Sequence, residues 1–82
     1  MRKKKIKHIE TLSMRQVILY PGEDGYWVAE CPSLPGCITQ GKTKGKTLIN
    51  MKEAIRGYIA SMRRHGEPVP AIKEVREVEV LV

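Results

Sequence analysis

The segment ECPSLPGCITQGKT, residues 30–43, constrains the fold of this chain more than any other stretch. Pro32 has no backbone donor and Pro35 fixes a second φ angle, so neither residue fits inside a sheet ladder. The extended run before them must therefore end near Cys31. Leu34 is the apolar residue between the prolines, and we expect it to fold under the connection and hold it in place.

Three segments have strand-like sequences. Residues 26–31 (YWVAEC) alternate in side-chain type, which predicts a pleated segment with two unlike faces. The β-rich run 14–20 precedes it, and the turn cluster PGEDG at 21–25 predicts a hairpin between the two. A third short strand is expected at 37–40. The two-residue alternation of side chains does not show which of the aromatic rings faces the helix.

A helix is expected from about residue 46 to residue 64. Thr43 is a plausible N-cap, and Gly66 is a natural residue just past the C-terminus. The apolar residues of this segment recur at three- and four-residue intervals and share one helix face: Leu48, Met51, Ile55, Tyr58, Ile59 and Met62.

The last segment, residues 75–82 (VREVEVLV), alternates valine with charged residues and predicts a final half-buried strand. The expected order is therefore βββαβ, a two-layer α+β domain with one helix packed on a small, mainly antiparallel sheet. A chain of 82 residues buries only about 60 to 65% of its unfolded surface, so we expect a homo-oligomer, either a dimer or a tetramer.

The positive charge is concentrated at the start of the chain. The formal net charge is +6, and residues 1–15 carry +5 of it. Residues 1–13 are interpreted as a flexible basic leader before a domain at 14–82, and Met14 is an alternative to Met1 as the initiator. A nucleic-acid-binding arm is the competing interpretation of the leader, with these contact residues: Arg2, Lys3, Lys4, Lys5 and Lys7.

The pattern of reactive side chains predicts that the chain is not an enzyme. The spacing between Cys31 and Cys37 does not match a zinc-binding motif. No His is positioned by sequence to activate either thiol. We therefore expect both cysteines to be buried thiols. The acidic residues do not converge as a two-metal nuclease site requires. We expect no metal and no cofactor. No apolar run approaches a membrane span or a signal peptide, which favours a cytoplasmic location without membrane contact.

The ordered motifs DGYWVAECPSLPGCITQGKT, NMKEAI and HGEPVP resemble the HicB family of antitoxins, over residues 15–82. The resemblance implies a partial ribonuclease H-like fold without nuclease activity. It also implies a HicA toxin as partner, a protein that resembles a double-stranded-RNA-binding domain and cleaves mRNA using a His. The antitoxin inhibits it by covering its active surface. Many HicB proteins continue into a DNA-binding module, and we expect none in a chain that stops at Val82.

The predicted site residues fall into two groups. A partner-binding surface is expected from exposed aromatic residues and the proline loop, namely Tyr20, Tyr26, Trp27, Pro32, Leu34 and Pro35. The alternative for Trp27, that it is the largest side chain of the core, stays open. Structural roles in the turns and the helix entry are expected for Gly25, Gly36, Cys37, Gly41, Thr43 and Gly66.

Three functional classes are compatible with these features. The first is an antitoxin that binds and inhibits a HicA-type mRNA interferase, with an orphan HicB-like domain without a toxin as the alternative within the same family. The second is a small RNA- or DNA-binding module that uses the basic arm. The third is a small hydrolase, which a metal-dependent nuclease assay tests.

Overall fold

The structure is a computed structural model and describes residues 14–72 and 76–82. Its strands are β1 (Ile18–Pro21), β2 (Trp27–Glu30) and β3 (Ile38–Gly41), and its α-helix is α1 (Lys44–Arg64). The three strands form one antiparallel sheet in the order β1-β2-β3. The helix α1 packs on one face of that sheet. The predicted α+β class, with three strands followed by one helix, is confirmed.

The β1–β2 connection is a tight hairpin. The backbone N–H of Tyr26 donates to the carbonyl of Glu23 at 3.1 Å, and the two residues between them have positive φ angles, 56° at Asp24 and 77° at Gly25. These are the φ values of a type I′ turn, whose twist matches that of the strands it joins. The Asp-Gly pair therefore fixes the hairpin, because both residue types tolerate this backbone conformation.

The proline turn has the predicted arrangement. The N–H of Leu34 donates to the carbonyl of Cys31 at 3.0 Å, and the N–H of Cys37 donates to the carbonyl of Leu34 at the same distance. The N–H of Cys31 in turn donates to the carbonyl of Cys37 at 3.1 Å. The side chain of Leu34 is 0% exposed, so it lies under the turn and joins the core.

Both ends of α1 are capped. The Thr43 side chain accepts a hydrogen bond from the N–H of Lys46 at 3.0 Å, which confirms it as the N-cap. The helix begins two residues earlier than expected. At the other end, the N–H of Gly66 donates to Arg63 and that of Glu67 donates to Met62, the two bonds of a Schellman motif. Gly66 has a φ of 68°, which that motif requires.

Two glycine substitutions are expected to change stability in opposite directions. A Cβ on Gly41 would lie 2.8 Å from Oγ1 and 2.9 Å from the backbone N of Thr47, which is fully buried. Because the helix backbone must move to accommodate it, we expect Gly41→Ala to cost about 1 to 3 kcal/mol of the free energy of unfolding. Gly57 lies within α1 and has open space around its Cα, so Gly57→Ala should gain about 0.8 to 1 kcal/mol. Urea titrations of both variants measure these shifts, and a neutral Gly41→Ala would contradict the close approach of β3 to α1.

The predicted final strand is wrong within the described residues 76–82. None of these residues belongs to a strand, and Val78 and Val80 are 78% and 68% exposed. The alternating sequence specifies two unlike faces, but a strand also needs a neighbouring strand to receive its backbone hydrogen bonds, and the pattern does not supply one. The described order is βββα instead of βββαβ, and a ribonuclease H-like arrangement stays a prediction.

Candidate partner-binding face

The strand register decides which side chains face the helix. Ala29 is fully buried in the core and pairs with Leu19 on β1 and Thr39 on β3, so this row lies on the side of α1. Side chains one position away point to the other side of the sheet. We call that side the open sheet face. It consists of two rows across the three strands: Ile18, Glu30 and Ile38, and Tyr20, Val28 and Gln40.

The open sheet face exposes large apolar side chains. Ile18 is 46% exposed, Tyr20 is 37% exposed and Ile38 is 55% exposed. The two isoleucines lie on either side of Glu30, which is half-buried between them. Grouped apolar side chains on a small domain are typical of an interaction surface, because a monomer gains nothing by exposing them to water.

A hydrogen bond crosses this face. The Tyr20 hydroxyl donates to Oε1 of Glu30 at 2.8 Å. The bond to the carboxylate, partial desolvation and the nearby negative charge raise the pKa of Tyr20 above its usual value. The bond therefore links the side chain of Tyr20 on β1 to that of Glu30 on β2.

We expect Glu30→Gln to lower the pKa of Tyr20 towards its ordinary value, because the variant removes the acceptor charge that favours the protonated phenol. Since the folded-state pKa is raised, this bond stabilises the fold below the ordinary tyrosine pKa of about 10, and the contribution is lost as the pH rises through the folded pKa. NMR titration of ring-labelled tyrosine measures the shift. Glu53→Gln, on the exposed side of α1, is the control and should leave the pKa of Tyr20 unchanged; an equal shift in both variants would contradict the assigned bond.

Trp27 lies on the helix side of the sheet. It shares that side with Ala29 and is half-buried beside the first turn of α1, where Nζ of Lys44 lies 4.8 Å from its ring centroid. A cation over an aromatic ring is attracted to it, which offsets the unfavourable position of a lysine at the positive end of the helix dipole. The structure thus places Trp27 and Tyr20 on opposite sides of the sheet. The two-residue alternation of the sequence does not show which of the rings faces the helix.

The proline loop combines exposed and buried residues. Pro32 is half-buried, Pro35 is exposed and Leu34 is fully buried beneath them. The hydroxyl of Tyr58 on α1 donates to the carbonyl of Pro35 at 2.7 Å and ties the loop to the helix. Tyr26, just before β2, is half-buried. Of the predicted contact residues, Tyr20 is on the open sheet face and the prolines are in the loop that follows β2.

The arginine before β1 connects distant parts of the chain. Nη1 of Arg15 donates to Oγ of Ser33 at 2.8 Å, and Nη2 donates to the carbonyl of Pro70 at 3.0 Å. These bonds hold the proline loop and the segment after α1 beside the start of β1. In the sequence, Arg15 adds to the positive charge of residues 1–15 but lies in the β-rich run 14–20, outside the predicted leader at 1–13. No sequence signal identified its bonds to Ser33 and Pro70, because both partners are distant in the chain.

The two cysteines are buried, and the basic arm lies outside the described residues. Cys31 and Cys37 are free thiols, both buried, and the pKa of Cys37 is raised by burial and by the neighbouring Cys31. Within the described residues, no group of three or more His, Cys, Asp or Glu side chains is placed to hold a metal ion. The basic-arm residues Arg2, Lys3, Lys4, Lys5 and Lys7 lie outside the described residues, so their role stays a prediction.

Sequence reasoning did not select Ile18, Glu30 or Ile38 as contact residues. Side-chain alternation puts Ile18 on the same face of β1 as Tyr20, and Glu30 on the same face of β2 as Val28. This alternation is a sequence signal that could have identified Ile18 as a neighbour of Tyr20. Which face Ile38 joins depends on how the proline turn sets the register of β3, and the tertiary structure alone gives that register.

Comparison with known proteins identifies the family. The family described as "HicB_like antitoxin of bacterial toxin-antitoxin system" matches residues 16–80. The chain belongs to this family. The HicB-like match therefore includes all three strands, the proline turn and α1, and it extends into the C-terminal segment. It confirms the resemblance that the motifs of the sequence indicate.

Individual relatives support the same assignment. A UPF0150 protein of Thermoplasma acidophilum is 59% identical over 54 residues, which are 66% of this chain and 78% of that protein. A UPF0150 protein of Archaeoglobus fulgidus is 44% identical over 43 residues, 52% of this chain and 62% of that protein. An uncharacterized 14.9 kDa protein of Haemophilus phage HP1 is 35% identical over 54 residues, 66% of this chain and 40% of that protein. In the described part of this HicB-like chain, no helix has the length and apolar character needed to cross a membrane.

Proposed function

We propose that this chain is an antitoxin that binds a HicA-type mRNA interferase and inhibits it by covering its active surface. The observation that carries the proposal is the open sheet face, with three large side chains at least one-third exposed, on a chain of the HicB-like antitoxin family. Masking requires a complementary surface and no reacting group of its own. The proposal therefore assigns no enzymatic activity to the chain.

The chemistry of the open sheet face fits such a partner. A protein that cleaves RNA must present a positive surface to the phosphate backbone. On the open sheet face, Ile18 and Ile38 supply apolar contact area on either side of the Glu30 carboxylate. A carboxylate that lies between two apolar side chains can pair with a basic group of a partner, and the apolar contacts exclude water from the pair, which strengthens the electrostatic attraction.

The proposed contact residues lie on the open sheet face and in the proline loop. Tyr20 is the aromatic anchor, held by its bond to Glu30, and the loop residues Pro32 and Pro35 extend the surface beyond the end of β2. Leu34 is fully buried, so its contribution is to stabilise the conformation of the loop. Tyr26 and Trp27, both half-buried, stay candidates at the opposite end of β2.

Co-expression with a neighbouring small basic open reading frame tests the proposal. We expect the two proteins to purify as a stoichiometric complex, growth arrest by the toxin alone to be relieved, and RNA cleavage by purified toxin to fall in proportion to added antitoxin. Cleavage that persists at saturating antitoxin would contradict masking. RNA cleavage by this chain alone would contradict the assignment as an inhibitor.

The basic arm gives the second candidate function, since residues 1–13 carry five basic side chains and one acidic one, +4 of the net charge of +6. If the arm binds nucleic acid, the affinity must fall steeply with salt concentration and must be lost on deletion of residues 1–13. Retained toxin inhibition by the deleted form would separate this function from the first.

A further inference from the structure

Cys31 and Cys37 lie directly opposite each other at the two ends of the proline loop. The last residue pair between β2 and β3 is Glu30 with Ile38, and the same register continued by one residue pairs Cys31 with Cys37. The backbone N–H of Cys31 donates to the carbonyl of Cys37 at 3.1 Å. Opposite residues joined by such a bond have Cα atoms about 5.5 Å apart, within the range of about 4.4 to 6.8 Å that a disulfide spans.

Both cysteine side chains point to the helix side of the sheet. Cys31 is 3% exposed and Cys37 is 5% exposed, and both belong to the core cluster that contains Ala29 and Met51. Burial and the neighbouring Cys31 raise the pKa of Cys37, which shows that the two thiols are close enough to interact. The two sulfurs therefore share one site in the core.

The backbone at this position can bring the two sulfurs together. The Cβ atoms of directly opposite residues are about 4.5 to 5.5 Å apart, whereas a disulfide brings them to about 3.8 Å. The pair lies just beyond the end of the ladder, and the N–H of Cys37 donates to the carbonyl of Leu34 within the proline turn. The two cysteines thus share one cross-strand backbone bond where a regular pair has two, so a small approach of the segments disturbs little of the sheet.

The polar surroundings distinguish the two thiols. Nη1 of Arg15 donates to Oγ of Ser33 at 2.8 Å, and that oxygen lies 3.4 Å from Sγ of Cys31. A guanidinium can only donate, so the Ser33 proton is free to be donated to the sulfur when the sulfur carries negative charge. A thiolate is the attacking species in thiol–disulfide exchange, and the raised pKa of Cys37 disfavours that form. Cys31 is therefore the cysteine that reacts first.

We propose that Cys31 and Cys37 are a site of reversible disulfide formation with a small-molecule disulfide such as glutathione disulfide. The Cys31 thiolate attacks one sulfur of glutathione disulfide, which forms a mixed disulfide and releases one glutathione thiolate. The Cys37 thiolate then attacks the sulfur of Cys31, which forms the internal bond and releases the second glutathione. The protein loses two electrons and the glutathione disulfide gains them, and the two cysteine protons end on the two glutathione thiols.

The internal bond closes a ring around the proline loop. The ring contains Pro32, Leu34 and Pro35, so the cross-link restrains the loop at both of its ends. The consequence for the toxin rests on the proposed function, in which the two prolines extend the contact surface: the oxidised chain presents them with less conformational freedom. Formation of the bond is measured without the toxin, so a failure of this proposal and a failure of the antitoxin function are distinguishable.

Intact mass spectrometry of the full chain tests the site and requires no substitution. The reduced protein is incubated in native buffer with excess glutathione disulfide until its mass is constant, and it is then freed of oxidant and unfolded with a thiol-alkylating reagent. We expect a monomeric product that is lighter by two hydrogen atoms, takes up no reagent and retains α1 by circular dichroism. A dithiol reductant should restore both reactive thiols.

Four results of this measurement would overturn the proposal. They are a folded protein that keeps two alkylatable thiols, glutathione adducts in place of the internal bond, a cross-link between two chains, and an internal bond that forms only with loss of α1.

Cys37→Ser and Cys31→Ser are a matched pair that tests the order of reaction. Each variant removes one buried thiol and leaves the other, so neither can form the internal bond. We expect Cys37→Ser to acquire glutathione on Cys31 at least about threefold faster than Cys31→Ser acquires it on Cys37, because the more available thiolate reacts first. Circular dichroism checks that α1 is folded in both. Equal or reversed rates would overturn the assignment of Cys31 as the first nucleophile.

Discussion

Leu34→Ala is expected to lower the free energy of unfolding by about 2 to 5 kcal/mol, the range for truncation of a fully buried leucine. Leu34 is 0% exposed, and together with Met51 it provides the large apolar side chains that are fully buried in the described core. The two backbone bonds that Leu34 makes with Cys31 and Cys37 do not refill the cavity that the truncation leaves. For a small domain this loss is a large part of the total stability.

Urea unfolding at a fixed protein concentration measures this effect, with Leu48→Ala as the matched control. The control removes the same atoms from a side chain that is 41% exposed on α1, and alanine favours helix, so we expect a loss of about 1 kcal/mol or less. Similar midpoints for the two variants would show that the proline turn is not anchored by Leu34.

Ile38→Asp is expected to weaken toxin binding at least about thirtyfold, equivalent to about 2 kcal/mol, while leaving the antitoxin folded. Ile38 is 55% exposed in the isolated chain, so its replacement removes little of the core. In the proposed complex the same side chain would be buried beside Glu30, and an added carboxylate there would lose its hydration without a partner. Isothermal titration calorimetry with purified toxin measures the change.

Ile49→Asp is the control for this experiment. Ile49 is 59% exposed on α1, so the two variants make the same chemical change at similar exposure on different surfaces. Both add one negative charge, which by itself favours encounter with a basic partner. A loss confined to Ile38→Asp supports the open sheet face as the contact surface. Equal affinities for the two variants, with binding intact, would exclude that face and leave the antitoxin function standing.

The turns were predictable because a few residue types determine them locally. Two prolines exclude sheet pairing at 32 and 35, an Asp-Gly pair allows the positive φ angles of the hairpin, and Thr43 accepts the first free amide of α1. Each of these effects depends on atoms a few residues apart. The confirmed features of the fold are of this kind, including the position of Leu34 under the proline turn.

The C-terminal segment shows where such local reasoning ends. Its alternation is typical of a strand, but a strand forms only where another strand accepts its hydrogen bonds. No feature of residues 75–82 says whether that partner lies in the same chain, in a second copy or nowhere. The described residues 76–82 remain outside the three-stranded sheet, and that result depends on long-range pairing.

Local sequence signals predict the α+β class, the two turns, the helix with its caps and the HicB-like family. They do not predict that Tyr20 lies on the open sheet face while Trp27 packs beside α1, or that Ile38 and Ile18 lie on either side of Glu30; the folded chain shows these placements. The difference arises from strand register. Alternation divides a strand into two faces, but the pairing between strands and the position of the helix decide which face is covered, and both arise from contacts between residues far apart in the chain.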